Sequence, residues 1–369
     1  MSAAELLLGV MWVGVTLYAV FAGADFGAGF WDLVAGGARR GAPARYRIEA
    51  SIGPVWEANH VWLIFVLVIL WTGFPAAFAA IASTLYVPLT AAGVGIILRG
   101  AGFALRKPVA DVRLQRTFGA AFAASSLVTP FFLGAVAGAV ASGRVPAGPV
   151  EDGRIDPWAA WTGPTSLLGG ALAVATCAYL GAVFLSADAA RDAEKELTDR
   201  YRSSGIAAAG VAGLLSLGGI AVLRFDAPRL YAGLTGRALP LVLIAAIAGA
   251  ASLGLLIRRR FVPARAAAVI AVVSVVWGWA AGQYPALLVG QLSITGGAGD
   301  PATLTAVLIS LAVGAVLFVP PLIVLLTLHA RGRLGLDGDP LGSDRAPLRS
   351  DCAPFGSDGE GQIGGQPSG

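Results

Sequence analysis

Long apolar segments alternate with short polar connections along most of the chain. A membrane-spanning helix needs about 20 predominantly apolar residues, and nine segments meet that requirement. They are residues 5–33, 54–80, 82–105, 117–142, 162–187, 204–223, 238–257, 266–290 and 304–328. The pattern predicts an all-α integral membrane protein with nine transmembrane helices, forming one domain over residues 1–330. Residues 331–369 are rich in Gly, Pro, Asp and Ser without apolar periodicity, which predicts a disordered tail.

The composition supports a membrane protein and excludes other classes. Hydrophobic residues make up 56% of the chain, charged residues 13%, and the mean hydropathy is +0.75, which is outside the usual range of soluble globular proteins. The net charge of +4 does not indicate nucleic-acid binding, because the basic residues are scattered between apolar segments. The first apolar segment lacks the basic start and the cleavage site of a signal peptide, so we expect it to remain as a spanning helix.

The basic residues predict the orientation in the membrane. Lys and Arg near span ends favour the cytoplasmic side, and all but five of the 26 basic residues belong to one alternating set of connections. The pattern therefore predicts an N-terminus outside and a C-terminus in the cytoplasm. The five exceptions, predicted to lie outside, are Arg144, Arg154, Arg224, Arg229 and Arg237.

Three ionisable residues lie within the predicted spans, where charge is expensive and therefore informative. Asp25, Glu57 and Arg99 all fall near the cytoplasmic ends of their segments. Two carboxylates and a guanidinium suit an ion pair that locks three helices together. They also suit a proton-relay site whose pKa values are set by burial and neighbouring charge. Asp32, one heptad beyond Asp25, is interpreted as an ordinary solvated helix cap.

His60 follows Glu57 at i+3, so the two side chains can share a helix face. It could be a haem or zinc ligand or a hydrogen-bonded packing residue. The second interpretation is favoured because the chain has only two histidines and contains no CxxC, HExxH or phosphate-binding glycine loop. We therefore expect this chain alone to bind no redox cofactor and no metal.

Smaller features predict packing and local structure. The pairs Gly23 with Gly27 and Gly134 with Gly138 are typical of close helix packing in membranes. Prolines are expected to kink their helices; these are Pro130, Pro285, Pro320 and Pro321. The mixed-charge stretch over residues 188–202 is expected to prolong a helix into the cytoplasm. The QYP sequence over residues 283–285 is placed in the external part of the eighth span, within reach of a lipid head group.

Five segments together resemble subunit II of cytochrome bd-type quinol oxidases. They are GADFGAG at residues 23–29, IGPVWEANHVWLI at 52–64, LWTGFPAAFA at 70–79, LYVPLTAAGVGIILRGAGFALRK at 85–107 and QYPALLVGQLSI at 283–294. The resemblance covers the nine predicted spans, about residues 5–328, but not the tail. It is most specific over residues 51–107, and spans five to seven match only in hydropathy.

The resemblance implies a nine-helix subunit that ligates no haem, in the plasma membrane of a bacterial cell. Its partner would be subunit I, which carries two b-type haems, one d-type haem and the quinol-oxidising loop. Quinol would be oxidised near the outer face, and oxygen would be reduced to water with protons drawn from the cytoplasm. An electrogenic terminal oxidase of the respiratory chain is implied, and the presence of a small accessory subunit is left open.

The resemblance also suggests roles for particular residues. The position of Glu57 is an acid associated with proton delivery in this family, and Asp25 matches a second recurrent acid. Ala22 stands where some members have a further acid. The working hypothesis is that Glu57, supported by Asp25 and Asn59, passes cytoplasmic protons into the subunit interface while Arg99 holds the carboxylates. A secondary transporter and a purely structural assembly subunit are the alternatives.

Overall fold

The computed structural model describes residues 2–36, 40–52, 56–105, 112–147, 156 and 158–330. Within these ranges it leaves out the side chains of residues 56–58, 112, 115, 318, 319, 322, 323 and 325–330. The predicted disordered tail, residues 331–369, lies outside the described residues. The chain divides into two units, Met1–Ser310 and Leu311–Gly369, and the account below concerns the first.

Helices account for almost all of the described chain. They are α1 (Ala3–Leu33), α2 (Ala42–Ile52), α3 (Trp56–Gly73), α4 (Pro75–Thr84), α5 (Tyr86–Leu105), α6 (Val112–Ser142), α7 (Pro164–Arg191), α8 (Lys195–Asp226), α9 (Pro228–Thr235), α10 (Leu239–Ile257), α11 (Phe261–Gln283) and α12 (Pro301–Ala330). The one departure from the predicted all-α fold is a short antiparallel pair, β1 (Ala286–Leu288) and β2 (Leu292–Ser293).

The length and composition of the helices confirm a multi-pass membrane protein. Within the described residues, seven helices are long and apolar enough to cross a membrane, and the number is eight if α3 and α4 form one bent span. A shorter apolar stretch, Pro301–Leu317, begins α12. Nine spans and the direction of the termini stay predictions.

The predicted second span, residues 54–80, is not one straight helix. It breaks at Phe74, and the segments on either side are bent by 117°. Phe74 has non-helical φ and ψ of −137° and 59°, and Pro75 begins the next helix. Proline disfavours helical geometry in the residue before it and cannot continue the hydrogen-bond ladder. The break therefore follows from the Phe74–Pro75 sequence.

Two further boundaries differ from the sequence-based expectation. The predicted eighth span, residues 266–290, ends at Gln283 and is followed by the strand pair, so Pro285 lies beyond the helix and does not kink it. The mixed-charge stretch does not prolong a single helix: α7 ends at Arg191, and a turn with Ala193 at φ 59° leads into α8. Charged residues here extend two helices and the turn between them.

Glycines set the closest helix contacts, as predicted. A Cβ on Gly27 of α1 would lie closer than 3.0 Å to the backbone of Cys177 on α7, and one on Gly134 of α6 would lie closer than 3.0 Å to the backbone of Gly169. Such contacts allow helices to pack by van der Waals attraction where lipid offers no hydrophobic driving force. Both small-residue pairs therefore lie at helix interfaces.

Polar contacts gather at the two ends of α1. At one end, here called the α2 end, Arg47 of α2 pairs with Asp192 and Glu194 of the α7–α8 turn, and Arg200 donates to the backbone oxygen of Ala35. The hydrogen bond to Glu194 raises the pKa of Arg47, so the guanidinium stays charged. The connections joined here belong to the set predicted to be cytoplasmic.

The opposite end, here called the hairpin end, holds the strand pair. Tyr284 donates to Glu5, and Arg144 pairs with Asp226. Arg144 is one of the five arginines predicted to lie outside. The grouping of connections at the two ends thus agrees with the alternation of charge along the sequence.

Candidate functional site

A buried ion pair joins α1 to α5 near the α2 end. Asp25 is 4% exposed and Arg99 is 1% exposed. The Arg99 Nη2 atom lies 2.5 Å from Asp25 Oδ1 and also donates to the backbone oxygen of Asp25 at 2.9 Å. The structure therefore brings together two of the residues that the sequence singled out by their charge at membrane depth.

The Arg99 guanidinium is enclosed by aromatic rings and by α6. Its Cζ atom lies 4.8 Å from the centre of the Phe26 ring and 4.4 Å from that of Phe122, so both rings contribute cation–π attraction. Its Nη1 atom donates to the Ser126 hydroxyl. Three helices thus supply the pair and its surroundings: α1, α5 and α6.

The GADFGAG segment makes room for this arrangement. A Cβ on Gly29 would lie closer than 3.0 Å to the Ser126 hydroxyl and to Arg99 Nη1. Gly27, on the same segment, lets the backbone of α7 pack directly against α1. The segment therefore combines a charged residue with two glycines that let α6, α7 and the Arg99 side chain approach the helix.

Hydrogen bonding within the site is incomplete. Among the described residues, four buried polar atoms near the pair have no hydrogen-bond partner: Asp25 Oδ2, Arg99 Nε, the Tyr18 hydroxyl and Thr129 Oγ1. An unsatisfied buried polar group costs about 1–3 kcal/mol, and such atoms in native proteins usually bind ordered water. The site therefore has the polar composition that suits hydration and proton exchange.

The first turns of α3 lie beside the same part of α1. Asn59 is 3% exposed and its amide lies 3.5 Å from the backbone oxygen of Phe21. The ring of His60 lies edge-on to Phe26 at 6.4 Å, which agrees with a packing role. The side chain of Glu57 lies outside the described residues, so its approach to Asp25 and Arg99 stays a prediction.

Asp32 is not the solvated cap that the sequence suggested. It is 4% exposed, and its Oδ1 atom lies 2.9 Å from Arg45 Nε. The short helix α2, which the hydropathy pattern did not predict, supplies Arg45 and covers the end of α1. Asp32 is therefore a second buried carboxylate on the same helix as Asp25.

The described residues do not offer a metal-binding cluster. Over the ranges that the structure covers, no group of three or more His, Cys, Asp and Glu side chains could hold a metal ion. A haem requires only one or two axial ligands, so that observation does not test haem binding. The absence of haem in this chain stays a prediction.

Comparison with known proteins gives a family match along nearly the whole chain. The model of the family described as cytochrome bd terminal oxidase subunit II matches residues 3–328. The cytochrome bd-I ubiquinol oxidase subunit 2 of Escherichia coli K12 is 30% identical over 138 residues, which are 37% of this chain and 35% of that protein. The cytochrome bd ubiquinol oxidase subunit 2 of Bacillus subtilis 168 is 29% identical over 129 residues, 35% of this chain and 36% of the relative.

A solved structure extends the similarity to the fold. A chain of the bd oxidase from Geobacillus thermodenitrificans matches with a TM-score of 0.69 at 26% identity, covering 89% of this chain and 99% of that chain. The sequence alignments with the curated relatives span only about a third of their length. The structural match spans nearly all of the solved chain.

Proposed function

The chain belongs to the cytochrome bd terminal oxidase subunit II family, and from that premise we propose that it is the non-haem-ligating subunit of a quinol:oxygen oxidoreductase. Its partner would be the haem-bearing subunit I, in the plasma membrane of a bacterial cell. Quinol oxidation near the outer face and oxygen reduction to water would occur on that partner. The observation that carries this proposal is the family match over residues 3–328.

The proposed contribution of this chain is proton delivery from the cytoplasmic side. Glu57, supported by Asp25 and Asn59, would pass protons towards the subunit interface, and Arg99 would hold the carboxylates in place. Support comes from the geometry of the described residues: Asp25 is buried against Arg99, and its second oxygen has no hydrogen-bond partner among them. A carboxylate with a spare oxygen can accept a proton without first breaking an existing bond.

The partner would hold the haems because this chain has little to offer as a ligand. His60 is the one histidine whose side chain the structure describes, and its ring packs against Phe26. We therefore derive no step through a haem in this chain. Its own residues would bind, hold and move protons.

Of the two alternatives, the family match removes the reason to favour a secondary transporter. A purely structural assembly subunit differs from the proposal only in the role of the buried carboxylates. Asp25 Oδ2 has no hydrogen-bond partner among the described residues. This favours a proton role, since a purely structural ion pair would gain stability from full hydrogen bonding.

A tagged pull-down with a visible spectrum tests the assembly. We expect the chain to co-purify with a second membrane subunit that carries b-type and d-type haem absorption. The chain expressed alone and extracted in mild detergent should show no haem absorption. A stoichiometric haem on the isolated chain would overturn the assignment of all haem ligands to the partner.

Replacement of Glu57 tests the proton role. In the purified complex, Glu57→Gln should lower oxygen consumption and proton uptake together by roughly 10²-fold, the lower range for a lost general acid or base. Glu49→Gln, on α2 and outside the proposed path, is the matched control and should leave both rates unchanged. Wild-type turnover of Glu57→Gln with intact haem spectra would contradict the hypothesis.

A further inference from the structure

One face of α1 carries polar side chains at heptad spacing, and the proposed function uses only the middle one. Tyr18, Asp25 and Asp32 are seven residues apart, so they lie on the same side of the helix and about 10 Å from one another along its axis. No other residue on this face between Tyr18 and Asp32 is ionisable. We call these three residues the α1 stripe.

The α1 stripe reaches the protein surface at Asp32, which is at the α2 end. Asp32 is buried, but the Arg45 side chain that covers it is 24% exposed. Arg45 Nη2 also donates to the backbone oxygen of Gly36 at 2.6 Å. Asp32 is thus paired with a side chain that reaches the solvent at the α2 end.

The Tyr18 hydroxyl is the end of the α1 stripe that lies farther from the α2 end. This oxygen is buried and has no hydrogen-bond partner among the described residues. It is near enough to Asp25, Arg99 and Cys177 to interact with each of them electrostatically. A phenol in this position can accept a proton on its oxygen and release its own proton onward, with no net change in its charge or oxidation state.

The middle of the α1 stripe is Asp25 with the polar groups around it. Among the described residues, neither Asp25 Oδ2 nor Arg99 Nε has a hydrogen-bond partner. Ser126, hydrogen-bonded to Arg99, and Thr129 follow each other by one turn on α6, and the buried Thr129 hydroxyl has no partner in the part of the chain that the structure describes. Polar atoms that could bind ordered water therefore surround Asp25, the middle residue of the stripe.

We propose that the α1 stripe is a continuous proton path within this chain, entered at the Asp32–Arg45 pair and leaving at the Tyr18 hydroxyl. This proposal rests on the proposed function and adds two residues to it. Asp32 would deliver protons to Asp25, and Tyr18 would receive them from it. Protons move by exchange along hydrogen bonds from Asp32 through Asp25 to Tyr18. Each group returns to its starting protonation state after one proton has passed.

Two conservative variants in the assembled complex test the path. Tyr18→Phe and Asp32→Asn should each lower oxygen consumption and proton uptake roughly tenfold or more, given the usual size of proton-transfer contributions. The solvent deuterium isotope effect on turnover should rise, which a merely structural change would not cause. The matched control is Tyr179→Phe, which removes a buried tyrosine hydroxyl bonded to Ser252 on another helix and should leave the rate and the isotope effect unchanged.

The outcomes separate this inference from the proposed function. Either variant turning over at the wild-type rate, in a complex with an unchanged haem spectrum, overturns the α1 stripe. If Asp25→Asn is slow in the same assay, the proton role of this chain stands and only the stripe is wrong. If Asp25→Asn also turns over normally, the proton role fails as well. A variant that does not assemble is replaced by Tyr18→Leu or Asp32→Ser, judged per haem on the same criteria.

Discussion

Among the aspartate–arginine pairs of the described residues, two differ in how completely their hydrogen bonding is satisfied: Asp226 with Arg144 and Asp25 with Arg99. Asp226 at the hairpin end pairs with Arg144 and accepts two more hydrogen bonds from Thr165, at 3.0 Å from its backbone nitrogen and 2.6 Å from its hydroxyl. Asp25 pairs with Arg99 in deeper burial, yet one of its oxygens has no partner among the described residues. The better-buried pair is the less complete one.

This difference in hydrogen bonding distinguishes an ion pair that only holds helices together from one that is suited to a function. Asp226 ties the ends of α6, α7 and α8 together, and its hydrogen bonds use both carboxylate oxygens. A buried ion pair repays its desolvation only when the remaining polar atoms are also satisfied. Asp25 and Arg99 do not meet that condition among the described residues. We therefore interpret the Asp226 pair as structural and the Asp25 pair as functional.

The largest effect is expected from breaking the buried pair on one side. Arg99→Met leaves the Asp25 carboxylate buried without a cation, which should lower the free energy of unfolding by about 3–5 kcal/mol. Arg144→Met should cost about 1 kcal/mol or less, because that side chain is 32% exposed and water screens the loss. Chemical denaturation of the complex in mild detergent measures both. Equal losses of stability in Arg99→Met and Arg144→Met would contradict the distinction between the two ion pairs.

A smaller loss of stability is expected when the close contact between α1 and α7 is disturbed and the charge of Asp25 is kept. Gly27→Ala forces a methyl group into the backbone of α7, and such overpacking costs about 1–3 kcal/mol. Gly9→Ala on the same helix, where a Cβ meets nothing within 4 Å, is the matched control. It should be neutral or stabilising by up to about 1 kcal/mol. A harmless Gly27→Ala variant would show that α1 and α7 are not in close contact.

Removing the hydroxyl groups that bond to the two pairs should give a smaller difference in stability than removing the arginines. The loss should again be larger at the Asp25–Arg99 pair. Ser126→Ala removes a partner of the buried Arg99, at a cost of about 1–2 kcal/mol. Thr165→Val removes one of several hydrogen bonds to Asp226 and should cost about 0.5–1 kcal/mol. Denaturation curves for the two variants give the comparison. A larger loss for Thr165→Val would reverse the order of the two sites.

The smallest effect is expected at the exposed contact between Tyr284 and Glu5. The hydrogen bond that Tyr284 donates to Glu5 raises the pKa of this phenol. Because the folded-state pKa is raised, the contribution to stability is present below about pH 10, the ordinary value, and disappears as the pH rises through the folded-state value. The difference in melting temperature between wild type and Tyr284→Phe should therefore shrink in alkaline buffer. A difference that grows with pH would contradict the sign.

Much of the fold follows from local sequence. Apolar runs of about 20 residues predict most of the long helices, and Pro75 explains the break that a hydropathy average conceals. The strand pair after α11 could not be predicted, because residues 286–293 are as apolar as a span. The helix α2 was missed for the opposite reason, because it is short and polar. Its position depends on contacts with other elements, of Arg47 with Asp192 and of Ala44 with Tyr201 of α8.

The site was predictable in its charges and not in its surroundings. Asp25 and Arg99 are conspicuous because charge inside a membrane helix is rare. Ser126 and Phe122 carry no such signal, since their approach to Arg99 depends on the register between α5 and α6. That register is set by close contacts of Gly95 with Thr129 and of Gly102 with Phe122. The heptad from Tyr18 to Asp32 was visible in the sequence but acquired meaning only through burial.

The most direct test of the central claim replaces both members of the buried pair at once. Asp25→Leu/Arg99→Met removes both charges and fills the space with apolar atoms, so the complex should regain most of the stability lost in Arg99→Met. Oxygen consumption and proton uptake per haem are then measured in the restored complex. If the pair carries protons, both rates stay low, by roughly tenfold or more. A stable double variant that turns over at the wild-type rate would show that Asp25 and Arg99 only hold the helices together.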